Sequence, residues 1–168
     1  MTISMYQTSV ATMIRAMNNL AAILEKGAQH CEAKKIDPSV MVNARLYPDM
    51  FALSKQVQIA TDTAKGGAAR LAGLEPPAYE DNETTFAQLV ERARKTVKYL
   101  ETLKPAQIDG SEERTVTWKA GDQTRSMQGM PYLLNRVLPN LFFHCVTAYN
   151  ILRHNGVEIG KQDFLGKL

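Results

Sequence analysis

The side chains best suited to chemistry in this sequence are three histidines, His30, His144 and His154, and one short polar stretch, Asn43 to Met50. An imidazole can act as a base near neutral pH or donate a lone pair to a metal. A zinc-type centre needs three or four such donors converging. His144 and His154 are ten residues apart, which on a straight helix is about 15 Å of rise and about 80° of rotation, too far for one ion. A His-x-x-x-His pair is absent, because Asn140 and Ala148 stand four residues either side of His144.

His144 is nevertheless the sharpest candidate. It falls about 80° from the centre of the apolar stripe around it, on the flank of a helix that must bury that stripe. It is expected to be partly buried and to point between helices, either as a hydrogen-bonded boundary residue or as a pocket base or ligand. His154 lies near the opposite face at a helix end, where a cation is favoured by the terminal carbonyls. In the polar stretch, Arg45 could hold an anion, Tyr47 could donate a hydrogen bond, and Asp49 could be a carboxylate ligand or a first-turn capping acid. Tyr149, about 140° around the helix from His144, is expected to pack with an outward hydroxyl. No phosphate loop, dinucleotide fingerprint or serine-hydrolase elbow occurs, and Gly66-Gly67 lacks the context those motifs need.

These residues must be positioned by helices. Tyr6, Val10, Met13, Met17, Leu20 and Leu24 recur every three or four positions and predict a first long helix from Ser4 to the region of Cys31. Asp37-Pro38 starts a short helix, the acid capping and the proline at the first position. Pro48-Asp49 predicts the start of a second long helix, 49–71, with Met50, Leu53, Val57, Ala60, Ala64, Ala68 and Leu71 inward and Gly73 ending it. Gly66-Gly67 inside it allows close packing or a bend.

Pro76-Pro77 and the polar stretch to Asn82 form a linker. Thr85 and Gln88 make a capping box for a third helix, whose stripe is Phe86, Leu89, Val90, Ala93, Val97 and Leu100, ending near Lys104-Pro105. On it, Arg92, Arg94, Lys95 and Lys98 read as a solvated face, and Asp62 with Lys65 as an ordinary surface pair. Around 114–127 the period changes to that of a hairpin, with Thr115 to Trp118, a turn at Gly121-Asp122, and Val116 or Trp118 as anchor.

A fourth long helix runs from Met130-Pro131 to Asn155 with Leu134, Leu138, Leu141, Cys145, Ala148 and Leu152 as its stripe. Pro139 should bend it unless a break occurs there. Gly156 caps it, and Phe164 and Leu165 in the tail are expected to dock back. The whole is an all-α single domain, 1–168, a four-helix bundle with a minor β-hairpin.

Composition agrees with that class. The 168 residues are 45% hydrophobic and 22% charged, with 20 Lys+Arg against 17 Asp+Glu. This suffices for one core and gives a net charge of only +3, spread along the chain, so no nucleic-acid partner is expected. No stretch is apolar enough to span a membrane, and no secretory signal is apparent at the N-terminus. The two cysteines, Cys31 and Cys145, form no Cys-x-x-Cys pair and read as buried thiols in a reducing, cytoplasmic setting.

The strings NARLYPDM (43–50), QVQIATD (56–62), AKGGAARLAG (64–73) and the long LPNLFFHCVTAYNILRHNGVEIGKQDFLG (138–166) resemble an uncharacterised bacterial family of the DUF1993 type, related to the DinB/YfiT-like superfamily. That resemblance implies a DinB-like four-helix bundle, often a homodimer, with a pocket centred on a divalent metal such as zinc or nickel. In the superfamily one histidine near the start of the second helix joins two from a His-x-x-x-His pair on the last. Here His144 would stand for one of the pair and Asp49 would occupy the area of the helix-two ligand. With Arg45, Tyr47 and Tyr149 as pocket candidates, two functions follow. One is a cleft that binds a small molecule or metal. The other is a noncatalytic protein acting through a homodimer or protein partner, suggested by rim residues Ile14, Ile59 and Val146.

Overall fold

The computed structural model describes residues 3–166; Met1 and Thr2, and Lys167 and Leu168 at the end of the tail, lie outside them. The first helical segment starts at Met5, passes through a π-turn, Gln7–Ala11, and runs on as α1, Thr12–Lys34. It ends at Lys35, which takes a left-handed conformation. Short α2, Pro38–Val42, begins where expected: the Asp37 carboxylate accepts from the Ser39 amide at 2.8 Å and Pro38 takes the first position.

The second long helix, α3, is Leu53–Leu71 and starts four residues later than the sequence suggested. Residues 44–52 form turns and extended backbone instead, and Arg45 donates from Nη1 to the Met50 carbonyl at 2.7 Å. A proline and an acid can open a helix or a turn, and here the turn is held by local bonds, Arg45 to the Met50 carbonyl and the Leu53 amide to the Ala44 carbonyl. Helix α4, Phe86–Thr102, carries the capping box read from Thr85 and Gln88. After short α5, Pro105–Ile108, the strands β1, Thr115–Ala120, and β2, Gln123–Gln128, pair antiparallel, with Ala120 opposite Gln123 across the Gly121-Asp122 turn.

The last helix is continuous from α6, Gly129–Tyr132, through a π-turn, Leu133–Val137, into α7, Leu138–His154. The π-turn resolves the proline problem. The Leu138 amide reaches back to the Leu133 carbonyl, so the ladder is already displaced where Pro139 offers no N–H. The extra residue also shifts the phase of the stripe. Leu133 and Val137 are buried, whereas Leu134, expected inside, is 46% exposed. The chain closes with α8, Lys161–Leu165.

α1, α4, α3 and α7 pack in that cyclic order, each against the next, as a four-helix bundle. Met13, Met17, Leu24, Leu53, Leu71, Leu89, Leu100, Leu141 and Ile151 are fully buried between them. Gly67 lets α3 meet the last helix closely, since a Cβ there would lie 2.5 Å from Val137 Cγ1. The hairpin lies against this end of the bundle through Val116 and Trp118, with the Trp118 ring 5.1 Å from that of Tyr132. Tail residues dock on α1: Arg15 donates to the Leu165 carbonyl, Asn19 to that of Phe164, and Lys26 pairs with Asp163. Among the described residues no helix is long and apolar enough to cross a membrane.

Candidate functional site

The seam between α3 and α7 carries the one buried histidine. His144 is buried, 7% exposed, and its Nδ1 lies 2.7 Å from Gln56 Oε1. The Gln56 amide nitrogen donates to the Phe51 carbonyl at 3.1 Å, which fixes the amide so that its oxygen faces the ring. Nδ1 is therefore the protonated nitrogen, and Nε2 keeps its lone pair, with no hydrogen-bond partner among the described residues. Burial holds the imidazole below its ordinary range. A second polar rung joins the same two helices, where Asn140 Nδ2 donates to Thr63 Oγ1 at 2.8 Å.

The partner that meets His144 from the start of the second bundle helix is thus Gln56, not Asp49. Asp49 is exposed in the turn before α3, as are Arg45 and Tyr47, the latter 65% exposed. These residues lie on the loop surface and are not among the groups hydrogen-bonded to His144. Tyr149 is half-buried on the other flank; its ring packs edge-on to Phe164, and its hydroxyl is directed to the Ile159 carbonyl at 3.5 Å and not to solvent. His154 is exposed at the end of α7, as its position suggested.

A three-histidine metal set does not fit this seam. It offers one imidazole and one carboxamide, with Asn140 tied to Thr63 and Ala148 without a donor. Among the described residues no three His, Cys, Asp or Glu side chains cluster as a metal site would need.

A partly open cleft lies on the other side of α7. A cavity of about 250 Å³ opens between α1 and α7 beneath the tail. Its walls are Ala16, Leu20 and Ile23 of α1, Phe142 and Cys145 of α7, and Phe164 and Leu165 of α8, with Thr12, Arg15 and Asn19 at the polar edge. Cys145 is a neutral wall, since burial pushes its thiol up to about 12. The sequence signalled the apolar spacing of these residues but not the gap, which exists because α8 bridges the helices without filling the space between them.

A charged cluster was also misread from sequence. Arg92 is not on a solvated face but 3% exposed, at the centre of a network joining α3, α4 and the linker before α4. Its guanidinium donates to Thr61 Oγ1 at 2.7 Å, to the Glu80 carbonyl at 2.8 Å, to Glu83 at 2.9 Å and to Asp62 at 2.8 Å, and pairs with Asp81 at 3.0 Å. Asp62 and Lys65 do pair, at 3.0 Å, but Lys65 is 6% exposed and lies beneath the Tyr79 ring. Every donor of Arg92 faces an acceptor, so the network fastens the linker to the bundle. The signal available in the sequence was the acidic run of the linker, Glu80, Asp81 and Glu83, which a buried guanidinium can satisfy.

Comparison with known proteins agrees with the fold. A family model described as a domain of unknown function, DUF1993, matches residues 5–165. The crystal structure of a DinB family member protein from Shewanella denitrificans is similar over 97% of this chain and 92% of that one, at 41% identity and a TM-score of 0.89. No functionally curated protein matches.

Proposed function

Given that this chain belongs to the DUF1993 family, within the DinB-like helical bundles, we propose that it is a small-molecule-binding protein whose ligand occupies the cleft between α1 and α7. The observation that carries this is the cavity of about 250 Å³ under the tail, walled mainly by apolar side chains of α1, α7 and α8. Its size and apolar walls suit a compact, mostly apolar molecule of one ring or a short chain. Arg15 and Asn19 at the edge hold the carbonyls of Leu165 and Phe164, so the tail acts as a cover that a ligand passes on entry. The cleft side of α7 supports this reading better than the His144 side, where the imidazole is committed to Gln56. The two buried thiols suit a reducing, cytoplasmic setting.

The test is thermal unfolding with small apolar probes such as indole and hexanol, on the wild type and on Ala16→Phe, which fills the cleft. The expected result is a ligand-dependent rise in Tm that the variant loses while keeping its own stability. An equal rise in both proteins would defeat the proposal.

A second reading, homodimerisation, is favoured by one specific observation. The outer face of the last helix leaves Met130, Leu134, Phe143 and Val146 between 39% and 56% exposed. Such a stripe on one element suits a second copy. Sedimentation of the wild type and of Leu134→Lys would separate a dimer from a monomer.

A further inference from the structure

The groove between the hairpin and the last helix has the chemistry of an anion site. It has a volume of about 690 Å³, and its walls include Trp118 and Arg125 from the hairpin and Arg136, Pro139, Asn140 and Phe143 from the helix. Trp118 and Arg125 are directly opposite each other across the two strands, so both side chains project from the same face of the hairpin. Arg136 reaches over the Trp118 ring from the helix side, its guanidinium carbon 5.0 Å from the ring centroid. Two arginines thus line one groove, one from the hairpin and one from the helix.

Neither has a carboxylate partner among the described residues. Arg125 reaches only the side chain of Gln123, at 3.2 Å. No acidic side chain lines the groove. Arg92, buried and matched by three carboxylates, shows how differently this chain treats a guanidinium whose task is to hold the fold. Trp118 is 7% exposed, with the Arg136 guanidinium over its ring.

The remaining walls define the rest of the ligand. Phe143 is 56% exposed, and with Pro139 it offers a flat apolar surface beside the charged end. We propose that this groove binds a small organic anion with a planar body, its oxygens held by Arg125 and Arg136 and its ring lying against Phe143 and Pro139. A carboxylate and a phosphate present the same paired oxygens to a guanidinium. This site lies on the hairpin side of α7 and stands independently of the cleft beneath the tail.

Trp118 is the sole tryptophan, so its fluorescence reports on this groove alone. The full chain is titrated with benzoate, phenyl phosphate and inorganic phosphate at low and high salt. The expected result is a saturable change with benzoate or phenyl phosphate, the tighter of the two identifying the head group, and weaker binding at high salt. Arg125→Gln and Arg136→Gln should each weaken it by about tenfold, the loss of one charge-assisted contact. Arg125 is exposed and has one side-chain contact, so its variant keeps the fold and decides the matter if Arg136→Gln unfolds. The proposal is overturned if neither aromatic anion saturates, if binding survives Arg125→Gln unchanged, or if inorganic phosphate binds as tightly as phenyl phosphate.

Discussion

His144 and Gln56 are 88 positions apart in sequence and share one short hydrogen bond, 2.7 Å from Nδ1 to Oε1, across the α3–α7 seam. Removing either partner leaves the other buried without its bond, which costs about 1–3 kcal/mol. Gln56→Leu should lower stability by that amount in urea denaturation. Nitrogen-detected NMR of the wild type should find the proton on Nδ1. A proton on Nε2 would contradict the arrangement.

The same imidazole makes stability depend on pH. Burial holds it below its ordinary value of about 6.5, so the folded protein favours the neutral ring while the unfolded chain takes up a proton more readily. Its contribution is therefore complete above the unfolded value. It is lost as pH falls below about 6.5, and levels off once the folded ring is protonated too. Denaturation midpoints from pH 8 to 5 should decline in the wild type and decline less steeply in His144→Asn. Parallel slopes would assign the dependence to other groups.

Arg92 predicts a larger effect. Arg92→Met strips Glu83 of its cation and Thr61 and the Glu80 carbonyl of their donor, each charge-assisted bond costing about 1.5–3 kcal/mol, while Asp62 and Asp81 stay partly exposed and keep Lys65 and Lys55. Arg92→Lys should recover little, because an ammonium cannot reach Thr61, the Glu80 carbonyl and the carboxylates together. Limited proteolysis should then cut the linker, residues 75–85, faster than in the wild type. Full stability in the lysine variant would show that charge alone suffices.

Adjacent glycines should respond in opposite directions to alanine. At Gly67 the new methyl meets Val137 Cγ1 at 2.5 Å in a packed seam, which costs about 1–3 kcal/mol. At Gly66 it meets only the end of the Arg70 side chain, which can move, so the better helix propensity of alanine should add up to about 1 kcal/mol. Val137→Ala should rescue Gly67→Ala. Equal effects at the two positions would mean that α3 and the last helix do not pack this closely.

Both cysteines should be inert in the folded protein. Cys145 is pushed up to about 12 by burial, and Cys31 is raised by burial and by the nearby Asp37 charge. A thiol reagent at pH 8 should label neither until denaturant is added. Rapid labelling of Cys145 alone would mean that the tail opens readily over the cleft.

The long helices, their caps and the hairpin were legible because each depends on neighbours a few residues away. The three-to-four spacing of Met13, Met17 and Leu20, the Asp37-Pro38 start, the Thr85–Gln88 box and the Gly121-Asp122 turn are local rules that the folded chain obeys. What failed was whatever spacing alone leaves open. Pro48-Asp49 can open a helix or a turn, and the bonds from Arg45 to the Met50 carbonyl and from the Leu53 amide to the Ala44 carbonyl hold the turn. The π-turn at Leu133–Val137 puts Leu134 out of phase with the stripe that follows, Leu141, Cys145, Ala148 and Leu152, because one extra residue offsets the two sides of the bulge and an ideal period cannot anticipate it. Arg92 looked solvated because its acceptors come from Asp62, Asp81 and Glu83, which only the fold brings together. Gln56 gave no signal as the partner of His144 for the same reason. Periodicity determines which face of a helix turns inward; which residue waits there is decided by the register between helices, and that exists only once they have packed.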